Sequence, residues 1–259
     1  MTSIPPGTAA AAFDKASDVY ERLTGGCTRE VAQFLLTLEP RVCASSNILD
    51  NACGTGIMTS EILRQFPQAK PRISAADLAP SMVSKFRAKA SSEGWLEEGQ
   101  NSLAISVTDA QDVTYPDETF TYSCTNLDFP FFPDADKAAT QVYRTLKGGG
   151  TAFISTWLTL GYVRHVQRAQ LAEKLVGVLG KGGFEKDKIQ IRTKTGGYRG
   201  RNLDDLLEIL ETGLLGQVSS GRSEEEKEKW VKELRSSLSD EEKATASVDM
   251  VAWVAVAQK

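Results

Sequence analysis

An aspartate closes a short apolar run at position 50 and Asn-Ala-Cys-Gly-Thr-Gly follows, so that "ILDNACGTG" occupies residues 48–56. Glycines in such a turn admit left-handed backbone and let a ligand approach the main chain. A helix starting just beyond offers its unpaired N–H groups. Two further carboxylates stand at comparable places, Asp77 at the end of "ISAAD" and Asp109 at the end of "AISVTD". The acidic residue that ends a second strand accepts hydrogen bonds from the ribose hydroxyls of an adenosine cofactor. One that ends a third strand can accept from an adenine amino group.

Three ligands use a turn of this kind: a nucleotide phosphate, a dinucleotide and S-adenosylmethionine. The phosphate loop requires G-x-x-x-x-G-K-[ST], and no lysine follows Gly56. The dinucleotide pattern G-x-G-x-x-G is met at Gly54 and Gly56, but position 59 is Thr. A nicotinamide oxidoreductase therefore stays a rival through Gly54, Gly56 and Asp77, with an antiparallel-looking last strand against it. The third reading uses the most residues.

Positioning these groups requires alternating elements. "SNILD", "PRISAAD", "SLAISVTDA", "TFTYSCTN" and "TAFISTW" read as strands. "IMTSEILRQF" (an amphipathic stretch), "PSMVSKFRAKA" opened by Pro80, and "DADKAATQVYRTL" stopped by Gly148–Gly150 read as the helices between them. That alternation predicts a parallel sheet covered on both faces. Upstream, Phe13 to Leu36 reads as two helices parted by Gly25 and Gly26. Downstream, 158–184 reads as an inserted helix, "KIQIRTKT" as an edge strand, 203–245 as two helices, and "VDMVAWVAVA" as a buried final strand. In the second of those helices Ser223 and Glu226 have capping-box spacing, and Trp230, Leu234 and Leu238 share a stripe. The expectation is one domain over 1–259: an N-terminal helical lid (1–45), a cofactor-binding core (46–157), then helical insertions and final strands (158–259).

In order and spacing, "ILDNACGTG", "AADLAPSM", "VTDAQDVTYPDETF" and "RTLKGGGTAFISTW" resemble the class I S-adenosylmethionine-dependent methyltransferases over about residues 46–157. With "FDKASDVYERLTG" upstream, the chain is most similar to fungal small-molecule enzymes of the UbiE-like, gliotoxin bis-thiomethyltransferase type. The resemblance implies a Rossmann-like α/β fold, a seven-stranded mostly parallel sheet with helices on both faces and a helical cap. Asp50, Ala52, Gly54 and Gly56 would then surround the methionine end of the cofactor, with Tyr20 closing over its carboxylate. Asp77, Leu78 and Met82 would hold the ribose and adenine face, Asp109 and Ala110 the adenine edge, and Asn126 the strand exit beside the sulfonium. Phe13, Phe129, Phe132, Trp157 and Tyr162 would line a substrate pocket, and His165 would be a base. Ala52 departs from the family pattern, which has glycine there; a negative φ would accommodate its methyl group. The implied cofactor is S-adenosyl-L-methionine, with S-adenosyl-L-homocysteine as product. The implied reaction is methylation of a small molecule, sulfur first and then oxygen or nitrogen. The alternative is a protein of this fold that keeps the cofactor without methylating.

Each assignment has a plainer competitor. Asp77 could cap the helix at Pro80, and Asp109 could close a turn. Cys53 reads as a small packed hydrophobe. His165, the only histidine, could pack on a helix, and any one of the aromatics could be core. "NLDFPFF" lacks the two prolines of the N-P-P-[FY] motif of amino-methylating nucleic-acid enzymes. "SEEEKEKWVKELR" is a solvated helix with i,i+4 pairs.

Composition narrows the classes further. The chain has 259 residues, 41% hydrophobic and 25% charged, with a formal net charge of −4. An acidic whole argues against nucleic acid as partner, and the basic stretch "RTKTGGYRGR" reads as an edge loop. Four cysteines without a C-x-x-C pair, and one histidine, predict free thiols and no metal site. No basic leader or span of about 20 apolar residues is present, which points to a cytoplasmic protein without membrane contact. Oligomeric state is left open.

Overall fold

A computed structural model describes residues 11, 13–14, 17–67, 71–96, 103–159, 168–212 and 223–259. Among them seven strands form one sheet: β1 (Asn47–Asn51), β2 (Arg72–Asp77), β3 (Leu103–Val107), β4 (Phe120–Asn126), β5 (Leu146–Thr159), β6 (Ile189–Arg199) and β7 (Ser247–Gln258). Their order is β3-β2-β1-β4-β5-β7-β6. The pairs β1–β2, β1–β4, β2–β3 and β4–β5 are parallel, whereas β7 runs antiparallel between β5 and β6. This is the Rossmann-like, mostly parallel sheet expected, with β6 at the edge and β7 buried inside it. The chain leaves β1 for β2 on one side, and β4 lies on the other. That reversal opens a crevice at the strands' carboxyl ends, where open α/β sheets bind ligands.

Helices α1 (Tyr20–Leu23), α2 (Cys27–Leu35), α3 (Ile57–Gln65), α4 (Pro80–Ser92), α5 (Ala135–Thr145), α6 (Arg168–Gly182), α7 (Leu203–Thr212), α8 (Glu224–Ser237) and α9 (Asp240–Thr245) complete the layers. Alternation along β1 divides the core. Ile48 faces a cluster containing Val31, Ile62 and Phe86 from α2, α3 and α4, and Leu206 from α7. Leu49 faces the opposite cluster, with Val142 of α5 and Leu179 of α6. Strand residues of alternating direction therefore serve two helical layers.

Three expectations are corrected. α3 is not amphipathic in burial: every residue from Ile57 to Leu63 is buried. Glu61 is buried because Arg29 and Arg64 pair with it and Gln33 donates to its Oε2 at 3.0 Å. α5 ends at Thr145, before Gly148–Gly150, and the glycines lie inside β5 beside a register shift against β4. Among the described residues three helices, not two, occupy the stretch from 203 to 245, and the last opens with a capping box between Ser239 and Glu242; the side chains of Glu226 and Trp230 lie outside what is described. Leu234 and Leu238 of the foreseen stripe are both buried.

Candidate functional site

The turn after β1 is built from left-handed backbone. Ala52, Gly54 and Gly56 have φ of 59°, 53° and 78°. The negative φ expected for Ala52 is thus corrected, and an L-residue there costs about 1–2 kcal/mol. Gly56 is the N-cap of α3, and a Cβ on it would lie 2.3 Å from the Phe86 ring. Gly56 consequently packs beneath the turn and lines neither cavity described below. Gly54 is the opposite case, since a Cβ there would meet nothing within 4 Å. It faces open space.

Two carboxylates tie the turn to the sheet. Asp50, 1% exposed, accepts from Thr59 N at 3.1 Å and Thr59 Oγ1 at 2.5 Å, which anchors the first turn of α3. Burial pushes its pKa up to about 6 against the lowering effect of those bonds. Asp77 accepts from Gly54 N and Ala79 N, both at 2.8 Å. It does not cap α4, whose N-cap Ala79 has no side-chain partner of its own. Burial raises the Asp77 pKa as well, outweighing the two backbone bonds.

Two adjoining cavities open above the turn. One, of about 480 Å3, is lined by Asp50, Ala52, Gly54, Asp77, Met82 and Asn126, with Phe13, Tyr20, Thr28, Cys53, Ile57, Met58 and Asp128 completing its wall. The second, about 620 Å3, is lined by Asp77, Leu78, Asp109, Ala110 and Phe132, with Thr108, Gln111, Phe131 and Pro133 among its other residues. Phe13, Ala52, Asp77 and Asp128 line both, so the cavities form one cleft. Leu78 is 47% exposed in it, a large apolar side chain open to a flat ligand. Asp109 closes its turn by accepting from Gln111 N at 2.8 Å, and still lines the cleft. Asn126 accepts from Ser155 Oγ at 2.7 Å and donates to Thr28 O at 3.1 Å, joining β4, β5 and α2.

The N-terminal segment covers this cleft. Phe13 packs edge-on against Tyr20 and Phe131, with ring centroids 6.0 and 5.2 Å apart. Asp14 Oδ1 accepts from Ser81 N at 3.0 Å and Ser81 Oγ at 2.5 Å, supplying from afar the acceptor that Ala79 lacks. The Tyr20 hydroxyl is held protonated by burial, then by the charges of Asp128, Cys27, Asp77 and Glu21. It can only donate.

Two expected pocket residues lie elsewhere. Phe129, 5% exposed, turns toward the α5 side of the core, and Trp157, 9% exposed, packs into the α2–α4 side. Their apolar neighbours account for both. Tyr162 and His165 lie outside the described residues. Asp128, conversely, is not singled out by the sequence, because "DFPFF" reads first as an aromatic wall. Its signal was an acidic residue two positions beyond the end of β4.

The cleft's charge discriminates between ligands. Asp50, Asp77, Asp109 and Asp128 line it, and among its described lining residues there is no lysine, arginine or histidine. Four carboxylates without a cation repel a pyrophosphate and fit a ligand that carries positive charge and adenosine-type donors. No group of His, Cys, Asp and Glu suited to a metal ion occurs among the described residues. None of their helices is long and apolar enough to cross a membrane.

Residues 48–150 match a family model described as a methyltransferase domain. The chain is 34% identical over 118 residues to "Methyltransferase tpcH" of Aspergillus fumigatus, covering 44% of this chain and 40% of that protein. It is 32% identical over 113 residues to the "Acetylaranotin bis-thiomethyltransferase" of Aspergillus terreus, covering 43% of this chain and 35% of the relative. The chain thus spans less than half the length of each. Among solved structures, a Haemonchus contortus phosphoethanolamine N-methyltransferase in complex with S-adenosylhomocysteine superposes with a TM-score of 0.59 at 19% identity. That alignment covers 95% of this chain and 57% of that one. The turn, the strand-end carboxylates and the strand order agree with these matches: residues 48–150 are similar to methyltransferase domains, and the chain has the fold of the solved methyltransferase structure it superposes on.

Proposed function

We propose that the protein transfers a methyl group from S-adenosylmethionine to a nucleophilic atom of a small molecule, with sulfur as the favoured acceptor. The observation that carries the reading is the four-carboxylate cleft at the switch point of the sheet, with no cationic side chain among its described lining residues. When bound, the cofactor supplies an electrophilic methyl group on a positively charged sulfur. The chain's own residues bind and orient. Asp77 has lone pairs beyond those used by Gly54 and Ala79, and these accept from ribose hydroxyls. Leu78 packs on the adenine, with Asp109 and Ala110 at its edge. Tyr20 donates to the methionine carboxylate, and Asp50 sets the turn. Phe13 and Phe132 exclude water and hold the acceptor close. Proximity and alignment supply most of the acceleration.

The preference for sulfur is supported by the bis-thiomethyltransferase relative. It is also chemically economical, since a thiol with a pKa near 8.5 ionises with little help. The test is a mass-spectrometric turnover assay with S-adenosylmethionine and a panel of a dithiol, a monothiol, a phenol, a carboxylic acid, a secondary amine and an activated carbon acid. One or two methyl units gained by the thiols alone are expected. Gain confined to any other member replaces sulfur with that acceptor, and no gain anywhere with the cofactor bound overturns methyl transfer.

A further inference from the structure

Asp128 is the cleft carboxylate without a structural task. Asp50 is committed to Thr59, Asp77 to Gly54 and Ala79, and Asp109 to Gln111. The Asp128 carboxylate accepts no hydrogen bond from any described residue, while its backbone carbonyl accepts from Phe131 N at 2.9 Å. The backbone nevertheless goes to some cost to aim it. Leu127, immediately before it, sits at φ 72°, a strained conformation for a non-glycine residue. Leu127 N is held there by Ser155 O at 3.1 Å and Ser155 Oγ at 3.0 Å. A 3-10 turn, Phe129–Phe131, begins immediately afterwards. Strain kept in place by a buried serine, immediately before a residue that faces both cavities, is the pattern of a functional position.

We propose that Asp128 is the proton acceptor of methyl transfer, taking the proton of the acceptor's nucleophilic atom as that atom is alkylated. The proposal rests on the methyltransferase reading above. In the step, the acceptor's lone pair forms the new bond to the methyl carbon while the carbon–sulfur bond breaks, its electron pair remaining on sulfur. The acceptor's proton passes to an Asp128 carboxylate oxygen and then to solvent. Among the described lining residues the other titratable groups that share the cleft with Asp128 are Asp50 of β1, Asp77 of β2, Asp109 just beyond β3, Tyr20 of α1 and Cys53 of the turn. None competes as a base. Tyr20 and Cys53 are weaker acids that burial keeps protonated, and the three aspartates are hydrogen-bonded in place. Burial, then the charges of Asp77 and Asp50, raise the Asp128 pKa above its ordinary value, so that it ionises at higher pH than a free carboxylate and is the stronger base once ionised.

The test compares wild type with Asp128→Asn for calorimetric cofactor affinity and for the pH dependence of turnover, using two panel acceptors of very different pKa. The wild-type rate should rise with pH through one value common to both acceptors. At saturating cofactor, Asp128→Asn should lose that rise and turn over about 100- to 10,000-fold more slowly. A variant with turnover within threefold of wild type and the same pH rise overturns the proposal alone. If the variant does not fold, the wild-type profiles decide: a rise that follows each acceptor's own pKa overturns it. No methylation of any panel member by wild type overturns the functional reading, and the proposal falls with it.

Discussion

Asp77 carries two loads at once. Its oxygens already hold the glycine turn and the entry to α4 through Gly54 N and Ala79 N, and the same carboxylate faces both cavities. A hydrogen bond to a charged acceptor contributes about 1.5–3 kcal/mol. Asp77→Ala should accordingly weaken cofactor binding by roughly 10- to 100-fold in a protein that still unfolds cooperatively. Isothermal titration beside a thermal melt measures both, and wild-type affinity in the variant would remove Asp77 from the ribose role. The residue scale is also where the sequence was least legible. "DNACGTG" marks a ligand turn, but nothing in it shows that Ala52 takes φ 59°. Asp128 stood unread beside three phenylalanines, because residue type does not disclose which of several adjacent side chains a strained turn aims inward. Phe129 and Trp157 show the converse. Both are large aromatics near strand ends, and both are absorbed by the core.

At the scale of elements, the strands and their intervening helices follow from apolar runs punctuated by glycine and proline. Pro80 opens α4 and Gly56 opens α3, as their backbone preferences dictate. The misread boundaries have physical causes. Gly148–Gly150 resemble a helix stop, yet β5 needs them where its register shifts against β4. α3 has polar residues at Thr59, Ser60 and Glu61 that periodicity assigns to solvent; Ser60 bonds back to Gly56 O and Glu61 pairs with Arg64 within the helix, but Asp50 of β1 accepts from Thr59 and Arg29 of α2 pairs with Glu61. No sequence period reveals partners that come from other elements. The clasp between Asp14 and Ser81 is another such contact, joining residues 67 apart. Lys85–Asp18 and Lys89–Glu21 reinforce it along α4. Asp14→Ala removes an acceptor at a helix start, a loss of about 1 kcal/mol, and frees Phe13 from the cleft. Stopped-flow displacement should show the cofactor leaving several-fold faster from the variant. An unchanged dissociation rate would mean that the segment does not cover the bound ligand.

For the molecule as a whole, the net charge of −4 understates how negative the cleft is, because the carboxylates gather where no described lysine or arginine reaches. Burial raises the pKa of Asp50 to about 6, and those of Asp77 and Asp128 in the same direction. For an acid raised on folding, the folded state binds more protons. Its stability is therefore greatest below the unfolded value near 3.8 and declines as pH rises toward about 6. A positively charged ligand reverses that penalty. It favours the ionised carboxylates, lowers their pKa values and expels protons, so its affinity should increase as pH rises through 6. At that pH Asp50 alone is about half protonated in the free protein. Calorimetry at pH 6 in two buffers of different ionisation enthalpy reads the released protons directly. S-adenosylmethionine should release more than S-adenosylhomocysteine, whose sulfur is neutral, and the product should bind with a shallower pH dependence. The electrostatics that draw the charged donor in would then also ease the uncharged product out. Equal heats in the two buffers would show instead that the cleft carboxylates are already ionised in the free protein.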